Sequence, residues 1–133
     1  MTSRLSKRTL VMAVAALCVL GIAGGVAYAA SLKKGLKVYV IPKNLGNSYF
    51  TTADSVKTGG ALAALGTLGE TGTETSGSAA TAASQLPAIQ ATIAKGANIL
   101  MVSATDPTAL CPTLKAAMAK GITVVTYDSD APT

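Results

Sequence analysis

The chain has 133 residues, half of them hydrophobic but only 4% aromatic, with no Trp and one Phe, so it holds material for one domain whose core is built from small side chains. Histidine is absent, which removes the commonest general base, the usual triad partner and the commonest metal ligand, and so argues against catalysis. The net charge of +5 falls to eight Lys against six acids from Ala30 onward, and no basic stripe interleaved with aromatics recurs, which argues against nucleic-acid binding.

Arg4, Lys7 and Arg8 precede Leu10–Ala23, a run without charge; Gly24-Gly25 then break it, and Ala27-Tyr28-Ala29 offers small residues at the two positions a signal peptidase reads. Residues 1–29 are therefore expected to be a secretory signal peptide, cleaved after Ala29. The rival reading is an uncleaved membrane anchor, since about twenty apolar residues can span a bilayer. In both readings the chain meets a membrane only through this segment. Leu17 stands before Cys18 where a lipidation signal wants a small residue. After cleavage Cys111 is left without a disulfide partner, and its expected role is a small buried hydrophobe.

Ala30–Gly35 is a polar lead-in, and the spacing of Ser31 and Lys34 matches an acyl-transfer motif by chance alone, with no other element of that chemistry nearby. Val38–Ile41 is a short apolar, β-branched and aromatic run that suits a strand buried on both faces of a parallel sheet, and Pro42 ends it. Lys43-Asn44-Leu45-Gly46-Asn47-Ser48 is a turn rich in donors and acceptors. Tyr49–Leu65 reads as one helix, weakened by Gly59-Gly60 unless close packing requires them, with Gly66 as its stop. Thr67–Ser78 carries little apolar content; a short edge strand over Thr67–Glu70 followed by a loop is expected, the alternative being a disordered polar loop.

Ala79–Lys95 is a second helix with Leu86, Ile89 and Ile93 on one face and Gly96 as its stop; Pro87 requires a start close to it or a kink. Asn98–Ser103 is a buried strand. Asp106 followed by Pro107 starts the next helix as an N-cap carboxylate, with Leu110, Leu114, Ala117 and Met118 as its apolar face, an irregular first turn at Pro112, and Lys120-Gly121 closing it. Ile122–Tyr127 is the last strand and runs into Asp128-Ser129-Asp130. Strands alternating with helices in this order predict an α/β fold, a three-layer parallel β-sheet flanked by helices.

Ligands of open α/β sheets sit outside the carboxyl ends of the strands. That rule gathers Lys43, Asn44, Asn47, Ser103, Asp128, Ser129 and Asp130 at one rim, beside Tyr49 and Phe50. Ammonium, carboxylate and amide groups next to an aromatic plane suit a polyhydroxylated small molecule, whose hydroxyls need fixed donors and acceptors and whose C–H face stacks on a ring. The same residues also suit plainer roles, a solvated loop charge for Lys43 and a turn-capping carboxylate for Asp128. A metal pair of Asp128 and Asp130 lacks a third ligand. No catalytic residue, metal site or cofactor is expected.

Val40-Ile41-Pro42-Lys43-Asn44-Leu45-Gly46-Asn47-Ser48-Tyr49-Phe50, Val102-Ser103-Ala104-Thr105-Asp106-Pro107, Leu110-Cys111-Pro112-Thr113-Leu114-Lys115 and Val125-Thr126-Tyr127-Asp128-Ser129-Asp130 closely resemble the N-terminal half of type I periplasmic sugar-binding proteins. The nearest branch is the rhamnose and autoinducer-2 substrate-binding subunits of ABC importers. The resemblance implies a secreted, periplasmic protein that binds a small-molecule sugar, works with an ABC transporter permease and is not an enzyme. It also implies ligand contacts for Lys43 and Asp128, and stacking for Tyr49 and Phe50; Asn44 and Ser129 complete the candidate site. Family members have a firmer second strand and are roughly twice as long or more, so residues 30–133 are expected to be a partial N-terminal lobe, truncated and impaired in binding. The alternative function is a membrane-anchored sensor or protein-interaction domain that uses the open sheet edge.

Overall fold

A computed structural model describes residues 34–131. The export signal expected over residues 1–29, Cys18 and Ser31 lie outside the described residues. Lys37–Ile41 forms β1, Ser48–Asp54 α1, Ala61–Thr67 α2, Thr71–Glu74 β2, Ala82–Ala94 α3, Ile99–Val102 β3, Pro107–Ala119 α4 and Thr123–Thr126 β4. The strands make one parallel sheet in the order β2-β1-β3-β4, with Val40 level with Glu74 and Met101, and Val102 level with Thr126. The expected α/β architecture is therefore the observed one.

Alternation along the strands sends successive side chains to opposite faces. On one face Ile41, Leu100 and Val102 meet Ile89 of α3 and Leu110, Leu114 and Ala117 of α4, all buried, with Tyr39 and Val124 packed alongside. On the other face α2 covers the β2 side: a Cβ on Gly72, the register partner of Val38, would come within 2.6 and 2.7 Å of Leu65 and Leu62 side-chain atoms. Val38 and Val40 are buried, whereas Val125 of the edge strand β4 is 43% exposed. Met118, expected on the apolar face of its helix, is 37% exposed; Leu110, Leu114 and Ala117 already fill that face at i, i+4 and i+7 and turn Met118 outward. Cys111 is a free thiol, half-buried.

The single helix expected over Tyr49–Leu65 is two helices. The chain extends at Ser55 and reverses through Gly59, whose φ is +77°. Gly60 N–H donates to the Ser55 carbonyl at 2.9 Å, and a Cβ on Gly60 would collide with the Ala53 carbonyl, so the glycine pair makes the break and packs against α1, not against the sheet. Helix α2 runs past Gly66. It is closed at Gly69, with Gly69 N–H bonded to the Gly66 carbonyl and Glu70 N–H to the Leu65 carbonyl, both at 3.0 Å; this is the double bond pattern of a left-handed helix stop. Because that closure occupies residues through Glu70, the edge strand begins at Thr71 and not at Thr67. Gly96 and Gly121 close α3 and α4 in the same way, as expected.

Helix α3 starts three residues later than expected, because Thr81 is extended and its hydroxyl accepts from Ser84 N–H at 3.3 Å as the N-cap. Pro87 lies inside the helix, where it removes one backbone donor. Asp106 caps α4 through a 3.0 Å bond from Ala109 N–H, with Pro107 as the first helical residue.

Candidate functional site at the carboxyl rim of the sheet

Three strand ends build the rim. After β1, Pro42 carries the chain into the loop that bears Lys43, and the Pro42 carbonyl is anchored twice, by Ser76 Oγ at 2.6 Å and by Gln85 Nε2 at 2.9 Å. After β3, Ser103 is fully buried and its N–H bonds to the Ile41 carbonyl at 3.0 Å, continuing the ladder one step past the strand. After β4, Asp128 adopts a left-handed backbone with φ of 60°, a conformation that Asp tolerates better than most residues. The turn is closed by Asp130, whose Oδ1 accepts from Thr126 Oγ1 and from Ala131 N–H, each at 2.8 Å.

These loops bring Lys43 and Asp128 together. Lys43 Nζ lies 2.9 Å from Asp128 Oδ2, and each side chain keeps a little under a third of its surface exposed. The same oxygen accepts from Ser103 Oγ at 2.8 Å and from Ser129 Oγ at 3.3 Å. The bonds from Lys43 and Ser103 hold the Asp128 carboxyl below the usual carboxylate range, so it stays ionised. The turn-capping role open to Asp128 belongs instead to Asp130. Among the described residues no group of three or more Cys, Asp or Glu is placed to hold a metal ion.

Asn44 is half-buried and its amide turns back to the Leu45 carbonyl at 3.2 Å. Asn47 caps α1 by accepting from Tyr49 N–H at 2.9 Å. Tyr49 is 56% exposed, whereas Phe50 is buried edge-on between two rings, 5.0 Å from Tyr49 and 6.2 Å from Tyr127 by ring centroids. The open aromatic surface at this rim is thus that of Tyr49, with Phe50 supporting it from below in the edge-to-face geometry that aromatic pairs prefer.

Four residues near the rim escape a reading by motif. Tyr127, half-buried, donates its hydroxyl to Asp54 Oδ2 at 2.9 Å, and Asp54 is 1% exposed with Oδ1 unpartnered. Burial raises the Asp54 pKa, against a smaller downward pull from the Tyr127 bond. Burial and then the Asp54 charge raise Glu74 at the end of β2 in the same direction. Gln85, also fully buried, links the β1 and β3 loops. Gln85, Ile89 and Thr92 are the buried residues of α3, so the i, i+4, i+7 pattern of a buried face was the signal that could have found Gln85.

Comparison with known proteins places this geometry. The family profile described as periplasmic binding protein domain matches residues 38–133. Among solved structures, LsrB from Clostridium saccharobutylicum in complex with AI-2 is 35% identical with a TM-score of 0.65, over 72% of this chain and 28% of that one. An ABC transporter solute-binding protein from Burkholderia graminis in complex with D-arabinose is 26% identical with a TM-score of 0.68, over 76% of this chain and 34% of that one. Another, from Agrobacterium vitis bound with alpha-D-tagatopyranose, is 27% identical with a TM-score of 0.60, over 68% and 29%. The chain therefore spans about a third or less of the length of these structures. By the profile match and by its parallel sheet, the chain belongs to the periplasmic binding protein domain family.

Proposed function

We propose that this chain is one side of a sugar-binding clamp, from the exported solute-binding component of an ABC-type importer for a sugar or sugar-like signal such as rhamnose or autoinducer-2. The observation that carries the reading is the pairing of Lys43 with Asp128 on the carboxyl rim, backed by the buried Ser103 hydroxyl. An ionised Asp128 accepts from two vicinal hydroxyls, Lys43 donates to a ring or hydroxyl oxygen, and the exposed Tyr49 offers a plane for the C–H face of the ring. Ser129 and Asn44 border the same groups, and Phe50 fixes the Tyr49 ring. The reading is of binding without reaction: the Ser103 hydroxyl donates to the Asp128 carboxylate, but Lys43 and Ser103 hold that carboxyl below the usual range and so leave it a weak base.

The ligands named for the solved relatives, AI-2, D-arabinose and tagatopyranose, are all small polyoxygenated molecules and support this class of ligand. The chain spans about a third or less of those proteins, and its rim contacts one side of a ligand. Ligand sites reach their strength by burying most of the ligand surface, so the rim by itself binds weakly. Export to the periplasm by residues 1–29 and delivery to a permease complete the proposal.

Amide chemical-shift mapping with rhamnose and autoinducer-2 at millimolar concentration tests it. The expected result is small, saturable shifts at Lys43, Tyr49, Asp128 and Ser129. Shifts confined to another face, or none with either sugar, would overturn the assignment.

A further inference from the structure

Gln85 spends the whole hydrogen-bonding capacity of its amide on two rim loops. Its Nε2 donates to the Pro42 carbonyl at 2.9 Å and to the Ser103 carbonyl at 2.8 Å; its Oε1 accepts from Thr105 N–H at 3.1 Å and from Thr105 Oγ1 at 2.8 Å. A primary amide has two N–H donors and an oxygen with two lone pairs, so no group is left over. The side chain is fully buried. One of its partners, Pro42, directly precedes Lys43, and another, Ser103, supplies the hydroxyl that donates to Asp128.

We propose that Gln85 is the positioning residue of the rim: by fixing the separation of the loops after β1 and β3, it holds the Lys43–Asp128 grip ready before any ligand arrives. The proposal rests on reading those two residues as the sugar site, but its geometry is independent of the ligand. No other side chain of similar size serves all four bonds. A carboxylate would set lone pairs against two carbonyls, an ammonium would offer no acceptor to Thr105, and an apolar side chain would leave buried carbonyls and the Thr105 N–H unpaired. Gln85 stands on α3, away from the loops themselves, so it acts through Pro42 and Ser103 and not by touching a ligand.

The test is a pH titration of the Asp128 side-chain carboxyl by NMR in the full chain, comparing wild type with Gln85→Met, Thr105→Val and Thr92→Val. Methionine keeps the volume and removes the bonds. Thr105→Val removes one of the four bonds and keeps Gln85, which serves if the methionine variant fails to fold. Thr92 is equally buried on the same helix, but its hydroxyl is spent on the Ile89 carbonyl at 2.7 Å. In Gln85→Met the Asp128 carboxyl, no longer well placed for Lys43 and Ser103, is expected to titrate roughly half a pH unit or more higher. Thr105→Val shifts it less in the same direction, and Thr92→Val leaves it in place while lowering stability. An unchanged Asp128 titration in Gln85→Met, or in Thr105→Val if only that variant folds, overturns the proposal, as does an equal shift in Thr92→Val. Since no sugar enters this measurement, a chain that binds no sugar can still pass it, and a sugar-binding chain can fail it.

Discussion

The Tyr127 hydroxyl donates to Asp54 Oδ2 at 2.9 Å, tying α1 to the residue that directly precedes Asp128. The bond satisfies one carboxylate oxygen and leaves the other, Oδ1, buried without a partner. Two carboxyls near one rim are pushed in opposite directions, Asp54 upward by burial, against the pull of the Tyr127 bond, and Asp128 downward by Lys43 and Ser103.

The opposed shifts give stability a pH dependence whose sign differs on the two sides of the ordinary Asp pKa of about 3.9. Folded Asp54 holds its proton more tightly than the unfolded chain does, so its contribution is present at low pH and is lost as pH rises through its raised value. Glu74 acts in the same sense. Asp128 acts oppositely, contributing above the ordinary value and losing its contribution as pH falls through its lowered one. Urea midpoints are expected to climb on going from pH 7 toward the ordinary carboxylate pKa, and Asp54→Asn is expected to flatten that climb. Equal slopes in the two proteins contradict the assignment.

Tyr127→Phe removes the donor and leaves both Asp54 oxygens unpaired. Stranding a buried acceptor costs roughly 1–3 kcal/mol. Equilibrium urea unfolding at neutral pH should show a loss of that size, and a loss of only a few tenths would mean that water reaches the carboxylate.

Ser103→Ala takes one of the two principal hydrogen bonds from Asp128. Its carboxyl should titrate higher than in the wild type yet below the ordinary value, because Lys43 remains; stability should fall by about 1 kcal/mol. A titration identical to wild type would show that the Ser103 hydroxyl does not act on Asp128.

Gly60 and Gly66 make a contrasting pair. A methyl group on Gly60 would strike the Ala53 carbonyl, whereas one on Gly66 meets nothing within 4 Å. Gly60→Ala is therefore expected to destabilise by at least about 1 kcal/mol, and Gly66→Ala, inside α2, to stabilise by up to about 1 kcal/mol. Thermal melts of the two variants should move in opposite directions.

Much of this architecture is legible in the residue order. The short apolar and β-branched runs within Val38–Ile41, Asn98–Ser103 and Ile122–Tyr127 mark their strands, and Asp106-Pro107 marks a helix start by cap chemistry. The meeting of Lys43 with Asp128 follows from sheet topology and not from any local motif. What eluded the sequence is where spacing and turn chemistry disagree. Helical spacing carries through Gly59-Gly60, yet the left-handed Gly59 and the contact of Gly60 with Ala53 divide the helix. Thr71–Glu74 has little strand character of its own and owes its place to pairing with β1. Asp54 and Gln85 are polar residues buried by tertiary contacts, and Phe50 is turned inward by the two tyrosines.

The central claim is that the Lys43–Asp128 pair grips sugar hydroxyls, and the dissociation constants of wild type, Lys43→Met and Asp128→Asn for autoinducer-2 and rhamnose test it most directly. As a partly exposed pair, the two residues should contribute no more than about 1 kcal/mol to stability, so the folded variants can be compared on equal terms. The account predicts weak, saturable binding by the wild type that each substitution reduces at least roughly tenfold, the loss expected when a charged hydrogen-bonding partner is removed. Binding that survives both substitutions unchanged would contradict it.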